Sequence, residues 1–229
     1  MSGVETPAIF SRLRIPGNPV AHPGAVVISG KARFTVLTAR LIRLEYSETG
    51  QFEDRASFAF PNRYAAPPTF ETVNTAEKVT IDTGELFLSY IPGPGEFTGE
   101  NLSITFRLNS EEIRWTPGLV NRRNLRGTRR TLDECVGDVA LEEGLNSRDG
   151  WSVYDDSRRV LFNAADGWVE PRQPHFQQDW YFFAYGHDYK AALQEYTRFG
   201  GGIPLIPRFV LGAWWSRYWA YSDKDLMNL

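Results

Sequence analysis

"KVTIDTGELFLSYIPGPGEFTGENLSITFRL", Lys78 to Leu108, decides the fold class. Val79 and Ile81 fall on one face of an extended segment. A turn at Asp82-Thr83-Gly84 reverses the chain, and Leu86, Leu88 and Tyr90 fall on one face of the next. After the loop "IPGPGEFTGE", Leu102, Ile104, Phe106 and Leu108 alternate again. A period of two on both sides of Gly- and Pro-rich turns is the pattern of antiparallel strands. Upstream, "ARFTVLTARLIRLEYS" (32–47) alternates for part of its length: Phe34 and Val36, then Leu41, Arg43 and Glu45 against Ile42, Leu44 and Tyr46. Many short strands joined by such turns predict a mainly β chain built as a β-sandwich.

Downstream the signal breaks. "NRRNLRGTRRTLDECVGDVALEEGLNSRDG" (121–150) is polar, without clean periodicity, and too long for a hairpin loop. Long irregular segments inside compact domains are often functional. "WSVYDDSRRVLFN" (151–163) resumes strand character around a "DDSRR" turn, with Asp155-Asp156-Ser157 read as structural, and "WYFFAYG" (180–186) is a short aromatic strand. The period then changes. "HDYKAALQEYTRFGG" predicts a helix from Tyr189 to about Arg198, capped by Asp188, with Ala192, Leu193 and Tyr196 facing inward and Gly200 to Gly202 stopping it. The last stretch reads as a strand (Phe209 to Ala213), an aromatic loop, and a helix start at Ser222 with Asp223 and Asp225 in its first turn. Residues 1–200 are thus expected to form the β domain with its connecting helix at about 188–199, and 201–229 a linker and one βα unit.

Composition narrows the function classes. The 229 residues carry 25 Lys+Arg against 28 Asp+Glu, a net charge of -3, and no basic stripe, so no nucleic-acid partner is expected. Arg122, Arg123, Arg126, Arg129 and Arg130 cluster, and pairing with the many nearby acids is the expected outcome. The single cysteine, Cys135, excludes an internal disulfide and is expected to be a buried structural thiol. The start "MSGVETPAIF" has no signal pattern, and no apolar run reaches the ~18 residues of a membrane span, so a cytoplasmic protein with no membrane partner is expected. His22, His175 and His187 share no metal-ligand spacing, and no Gly-rich loop follows a strand; neither metal nor cofactor is expected. Aromatic residues reach 14%. They fill the space between packed sheets, and they stack on the C–H faces of sugar rings. Both uses fit this composition.

A βα unit at the end belongs to a parallel sheet or a (β/α)8 barrel, whose active sites lie on the loops after the strands. Ser216, Arg217 and Tyr218 hold that loop position, and Tyr218 lies just past the strand's expected end; the aromatics around them either line a site there or pack as core between the β domain and its neighbour. In the irregular middle, Asp133 ("RTLDE") and Asp149 ("SRDGW") are carboxylates that either cap turns or accept hydrogen bonds from substrate hydroxyls, and Trp151 closes the same motif.

"YKAALQEYTRFGGGIPLIPRFVLGAWWSRYWAYSDKDL" resembles the junction between the N-terminal β-sandwich and the catalytic barrel of glycoside hydrolase family 31. The matching pattern is a helix, then "P..P.W.LG", an "SRY" loop and an acidic helix start; here Phe209 replaces the tryptophan and "RFGG" departs from "LTG". "NLRGTRRTLDE" and "GLNSRDGWSVYDDS" resemble the segments "NL.GT.RTLD" and "GLLSRDGW...DDS" of one branch of that family. The resemblance implies a galactose-mutarotase-like β-sandwich followed by the truncated start of a (β/α)8 barrel. It implies a retaining α-glycosidase acting on α-glucosides or α-xylosides, whose two carboxyl groups stand about 5 Å apart. Both are aspartates of later barrel strands, so they are expected beyond Leu229, and residues 1–229 alone are expected to be inactive. By the resemblance Tyr218 lines the sugar pocket and Asp133 serves its leaving-group side, with Arg217, Trp219, Asp149 and Trp151 as further substrate-binding candidates. The implied partners are an oligosaccharide or α-glucoside and the remaining barrel of the same protein; an oligomer is compatible with this. The alternative is a non-catalytic β-sandwich that binds carbohydrate or docks a partner.

Overall fold

The computed structural model describes residues 17–129, 135–163, 167–172, 176–214 and 219–229. Its strands, in chain order, are β1 (Val26–Ser29), β2 (Ala32–Thr38), β3 (Leu41–Ser47), β4 (Glu71–Asn74), β5 (Val79–Asp82), β6 (Leu86–Tyr90), β7 (Leu102–Leu108), β8 (Glu111–Trp115), β9 (Ser152–Asp155), β10 (Leu161–Phe162), β11 (Val169–Glu170) and β12 (Phe176–Phe183). Two helices follow, α1 (Tyr189–Gly200) and α2 (Asp223–Met227).

One sheet has the order β1-β2-β3-β12-β9, the other runs β4-β5-β6-β7-β8 as a meander, and β10 and β11 form a small hairpin. Every pairing is antiparallel. The two inner faces meet in one core. Phe34, Ile42, Leu44 and Phe182 from the first sheet pack with Val79, Ile81, Leu88, Ile104 and Trp115 from the second. This is the β-sandwich that the alternation predicts. The turn at Asp82-Thr83-Gly84 is also in place: Gly84 has φ +81, and its N–H is accepted by Asp82 Oδ1 at 2.8 Å.

The first sheet is covered on its outer face as well. Leu41, Phe60, Tyr181, Phe183 and Phe199 form a second core between that face, the segment after β3, and α1. Phe60 stacks on Tyr181 with ring centroids 3.5 Å apart. This explains why residues 32–47 alternate only partly. β3 is buried throughout, so its outer-facing Arg43 and Glu45 are buried with the rest. Buried charges survive when paired and hydrogen-bonded. Arg33 binds Glu45 through Nε–Oε2 at 2.6 Å and Nη2–Oε1 at 2.9 Å. Arg43 binds Asp179 on β12, and both arginines also donate to the Glu53 carbonyl, at 3.1 and 3.0 Å.

α1 starts where Asp188 accepts from the Ala191 N–H at 3.3 Å. Its buried residues are Ala192 and Phe199; Tyr196 is half-buried, and Leu193, expected inward, is exposed. Three differences from sequence expectation stand out. Cys135 is exposed rather than buried. Of the clustered arginines, only Arg123 makes an ion pair among the described residues; Arg122, Arg126 and Arg129 do not. Finally, residues 209–213 are not a strand: Arg208–Leu211 is a 3-10 turn after Pro207. A strand needs a neighbour for its ladder, and none flanks this segment among the described residues. α2 does form, with a capping box in which Ser222 and Asp225 satisfy each other's backbone N–H.

Candidate functional site: an arm joining the two sheet edges

β8 and β9 are edge strands, one of each sheet, and residues 116–151 connect them. The described parts of this connection, 116–129 and 135–151, fold back on each other as an arm. Asn124 bridges Ser147. Arg148 N–H donates to the Arg123 carbonyl at 3.0 Å, Leu125 N–H to Asn146 at 2.9 Å, and Gly127 N–H to Glu142 at 2.8 Å. So the two motif-bearing segments, 124–128 and 144–151, are partners.

Side chains replace the ladder where the backbone is irregular. Asn124 donates from Nδ2 to the Gly144 carbonyl at 2.9 Å and accepts from the Arg126 and Gly144 N–H groups at 2.8 Å each. Arg126 adopts φ +68, uncommon for a side-chain-bearing residue. At Gly144 the two segments touch: a Cβ there would lie 2.6 Å from the Arg126 carbonyl oxygen. Asn121, buried at the base, donates to the Trp151 carbonyl at 2.8 Å and accepts from Ser147 Oγ at 2.6 Å. His187 Nε2 lies 3.0 Å from the Arg148 carbonyl, linking the arm to the start of α1.

The sequence-predicted residues fall into three groups. Asp133, Arg217 and Tyr218 lie outside the described residues. Trp219 is exposed. Asp149 and Trp151 sit at the arm's base. Asp149 Oδ1 meets Arg123 Nε at 2.6 Å, and Oδ2 accepts the Arg123 N–H at 3.1 Å. Partial burial pushes this carboxyl up, but the bonds from Arg123 outweigh that, so it sits below the usual carboxylate range. Trp151 is buried in the sandwich core against Phe182 and Trp115. Sequence reasoning missed Asn121, Asn124 and Ser147; asparagines able to bond neighbouring backbone, inside a segment without periodicity, are the signal that marks them.

No protein-family model matches the chain, and no curated protein does. Solved structures do. Two are of a dextranase from Flavobacterium johnsoniae, one a mutant complexed with isomaltotriose, the other complexed with glucose. The first is 16% identical with TM-score 0.46, the second 15% identical with TM-score 0.46; each covers 82% of this chain and 28% of that chain. Both neighbours are family 31 glycoside hydrolases. The chain spans little more than a quarter of the length of these two.

Among the described residues no group of three or more His, Cys, Asp or Glu could hold a metal ion, and no helix is long and apolar enough to cross a membrane.

Proposed function

We propose that residues 1–229 are the N-terminal portion of a retaining α-glycosidase of family 31, cleaving terminal α-glucosidic or α-xylosidic bonds. One observation carries the reading. The two separate motifs that resemble the family fold together into a single arm, pinned at its base by Asn121, Asn124 and the Arg123–Asp149 pair. A scaffold of this kind positions a loop for work outside the sandwich. In this reading the arm carries Asp133 to the leaving-group side of a sugar pocket, and Tyr218 with Arg217 and Trp219 lines it from the first barrel loop. Asp149 supports the pocket by holding Arg123 rather than by touching sugar. The nucleophile and the acid/base would come from a separate barrel segment.

The test is complementation. Residues 1–229, mixed with a polypeptide carrying the rest of the barrel, should hydrolyse an aryl α-glucoside; alone they should not. In the assembled enzyme Tyr218→Ala should lower kcat/KM by an amount on the order of 1–3 kcal/mol, as for other aromatic stacking contacts. Asp133→Asn should harm disaccharides more than aryl glycosides. Turnover by residues 1–229 alone would overturn the proposal.

A further inference from the structure

A cleft of about 330 Å³ opens between the edges of the two sheets, where the arm leaves the sandwich. Small-molecule sites start at about this size. Its floor is aromatic: Trp115 at the end of β8, Trp151 ahead of β9, and Trp180 on β12. The floor is held rigidly from below. Phe182 packs under Trp115 with centroids 4.8 Å apart and lies nearly parallel to Trp151, at 13°.

Asn121, Asn124 and Ser152 also line the cleft, but their side chains bond to the Trp151, Gly144 and Leu145 carbonyls; the remaining polar side chains are of two kinds. The three indole N–H groups have no hydrogen-bond partner among the described residues, and none is sealed from water. An indole N–H can only donate. Opposite stand two exposed carboxylates on the rim, Glu143 of the arm and Asp155 of β9. Glu143 makes no ion pair among the described residues, and Asp155 uses Oδ1 to accept the Ser157 N–H at 2.9 Å. Carboxylates can only accept. A ligand that satisfies both sets must donate and accept from one body and offer an apolar face to indole. A quaternary ammonium group meets the carboxylates but leaves the indole N–H groups unanswered. A sugar ring, with hydroxyls that do both and C–H groups on its faces, meets all three demands.

The cleft also has an extension. A second cavity of about 240 Å³ shares Glu143, Gly144, Ser152 and Val153 with it and continues to Tyr154 and Tyr196. We propose that the cleft between β8 and β9 binds one hexopyranose unit of an oligosaccharide, with the next unit lying toward Tyr154 and Tyr196. This site is built entirely from the sandwich and the arm's base. It requires no barrel, so it stands apart from the glycosidase reading and does not depend on it.

The experiment follows the tryptophan indole ¹H–¹⁵N signals of the full chain while maltotriose or cellotriose is added, with choline as the rival ligand. Saturable shifts of the Trp115 or Trp180 signals with a millimolar dissociation constant, weakened about ten-fold by Glu143→Gln, support the site. Glu143 is exposed and outside the core, so that variant retains the fold. Trp180→Phe, which keeps an aromatic side chain at that position, should weaken binding likewise. Choline shifting these signals where the sugars do not, or no shift with either trisaccharide, overturns the proposal. Failure of the complementation assay leaves it standing.

Discussion

Arg43 and Asp179 meet as a two-point pair across β3 and β12, Nε to Oδ1 and Nη2 to Oδ2, both at 2.7 Å and both shut off from water. Removing Asp179 takes away the two-point acceptor of a buried guanidinium and leaves Arg43 only Glu45 at 3.0 Å and the Glu53 carbonyl at 3.0 Å. Asp179→Ala should therefore cost about 3–5 kcal/mol in urea unfolding, while a double replacement of the pair by apolar residues should cost less. An unchanged midpoint for Asp179→Ala would contradict this account of the pair.

The same network sets a pH dependence. Arg172 Nη2 lies 2.7 Å from Asp156 and 2.9 Å from Asp179, so two buried carboxyls share one guanidinium. Burial, then the charge of Asp179, pushes Asp156 up to about 6 from 3.8. Burial also pushes Asp179 upward, but Arg43 and Arg172 outweigh it and hold Asp179 well below the usual range. For Asp156 the folded state binds the extra proton, so its contribution to stability falls as pH rises from about 4 to about 6. For Asp179 the contribution is present above about 4 and is lost as pH falls further. Asp156→Asn should remove the decline between about pH 4 and 6 and keep the acid loss, read as Tm against pH.

Gly144→Ala should open the arm. The new Cβ would meet Arg126 carbonyl oxygen at 2.6 Å and Gly127 nitrogen at 3.1 Å, both backbone atoms that cannot swing aside. Faster cleavage of the arm by a non-specific protease, with the sandwich core intact, is the expected result.

Asp149→Asn should do less. Arg123 is mostly exposed, and exposed ion pairs contribute only about 0.2–1 kcal/mol. Global stability should stay within about 1 kcal/mol, while amide exchange at Arg123 rises because its N–H loses a charged acceptor.

The segment after α1 exposes apolar side chains one after another: Ile203, Leu205, Phe209, Leu211 and Trp214, the last 75% exposed. So many exposed apolar side chains within one short segment favour association. Light scattering of the full chain should show concentration-dependent self-association, and removing residues 203–229 should abolish it. A strictly monomeric full chain would argue against this.

Strand pairs with one dry and one wet face were legible in the sequence. β6 and β7 bury every second residue, and Lys78 to Leu108 reads accordingly. β4 was not legible, because all four of its residues are exposed and pairing with β5 alone defines it. Polar, short β8 was missed for a related reason: only Trp115 is fully buried. The burial and pairing of Arg33, Arg43, Glu45 and Asp179 were not legible, since burial of charge depends on partners elsewhere in the chain. Gly144 and Asn124 carry no periodic signal, yet the close approach of Gly144 to Arg126 and the Asn124 hydrogen bonds shape the arm. At the chain's end the helix cap at Ser222 was readable from local residues, whereas the expected strand at Phe209 depended on neighbours outside its own sequence.

β12 sits between β3 and β9, and Asp179 is 136 positions beyond the arginine that receives it. The meander sheet closes from neighbouring segments, but the other sheet waits for an interior strand from far along the chain. During synthesis β3 therefore emerges early with a bare hydrogen-bonding edge and with Arg43 facing Glu45 but not yet its two-point partner Asp179. Local hairpins are expected to form before the long-range strand, which would put the slow step at the insertion of β12. A nascent chain stalled before residue 176 would present the edge of β3 to whatever strand came first.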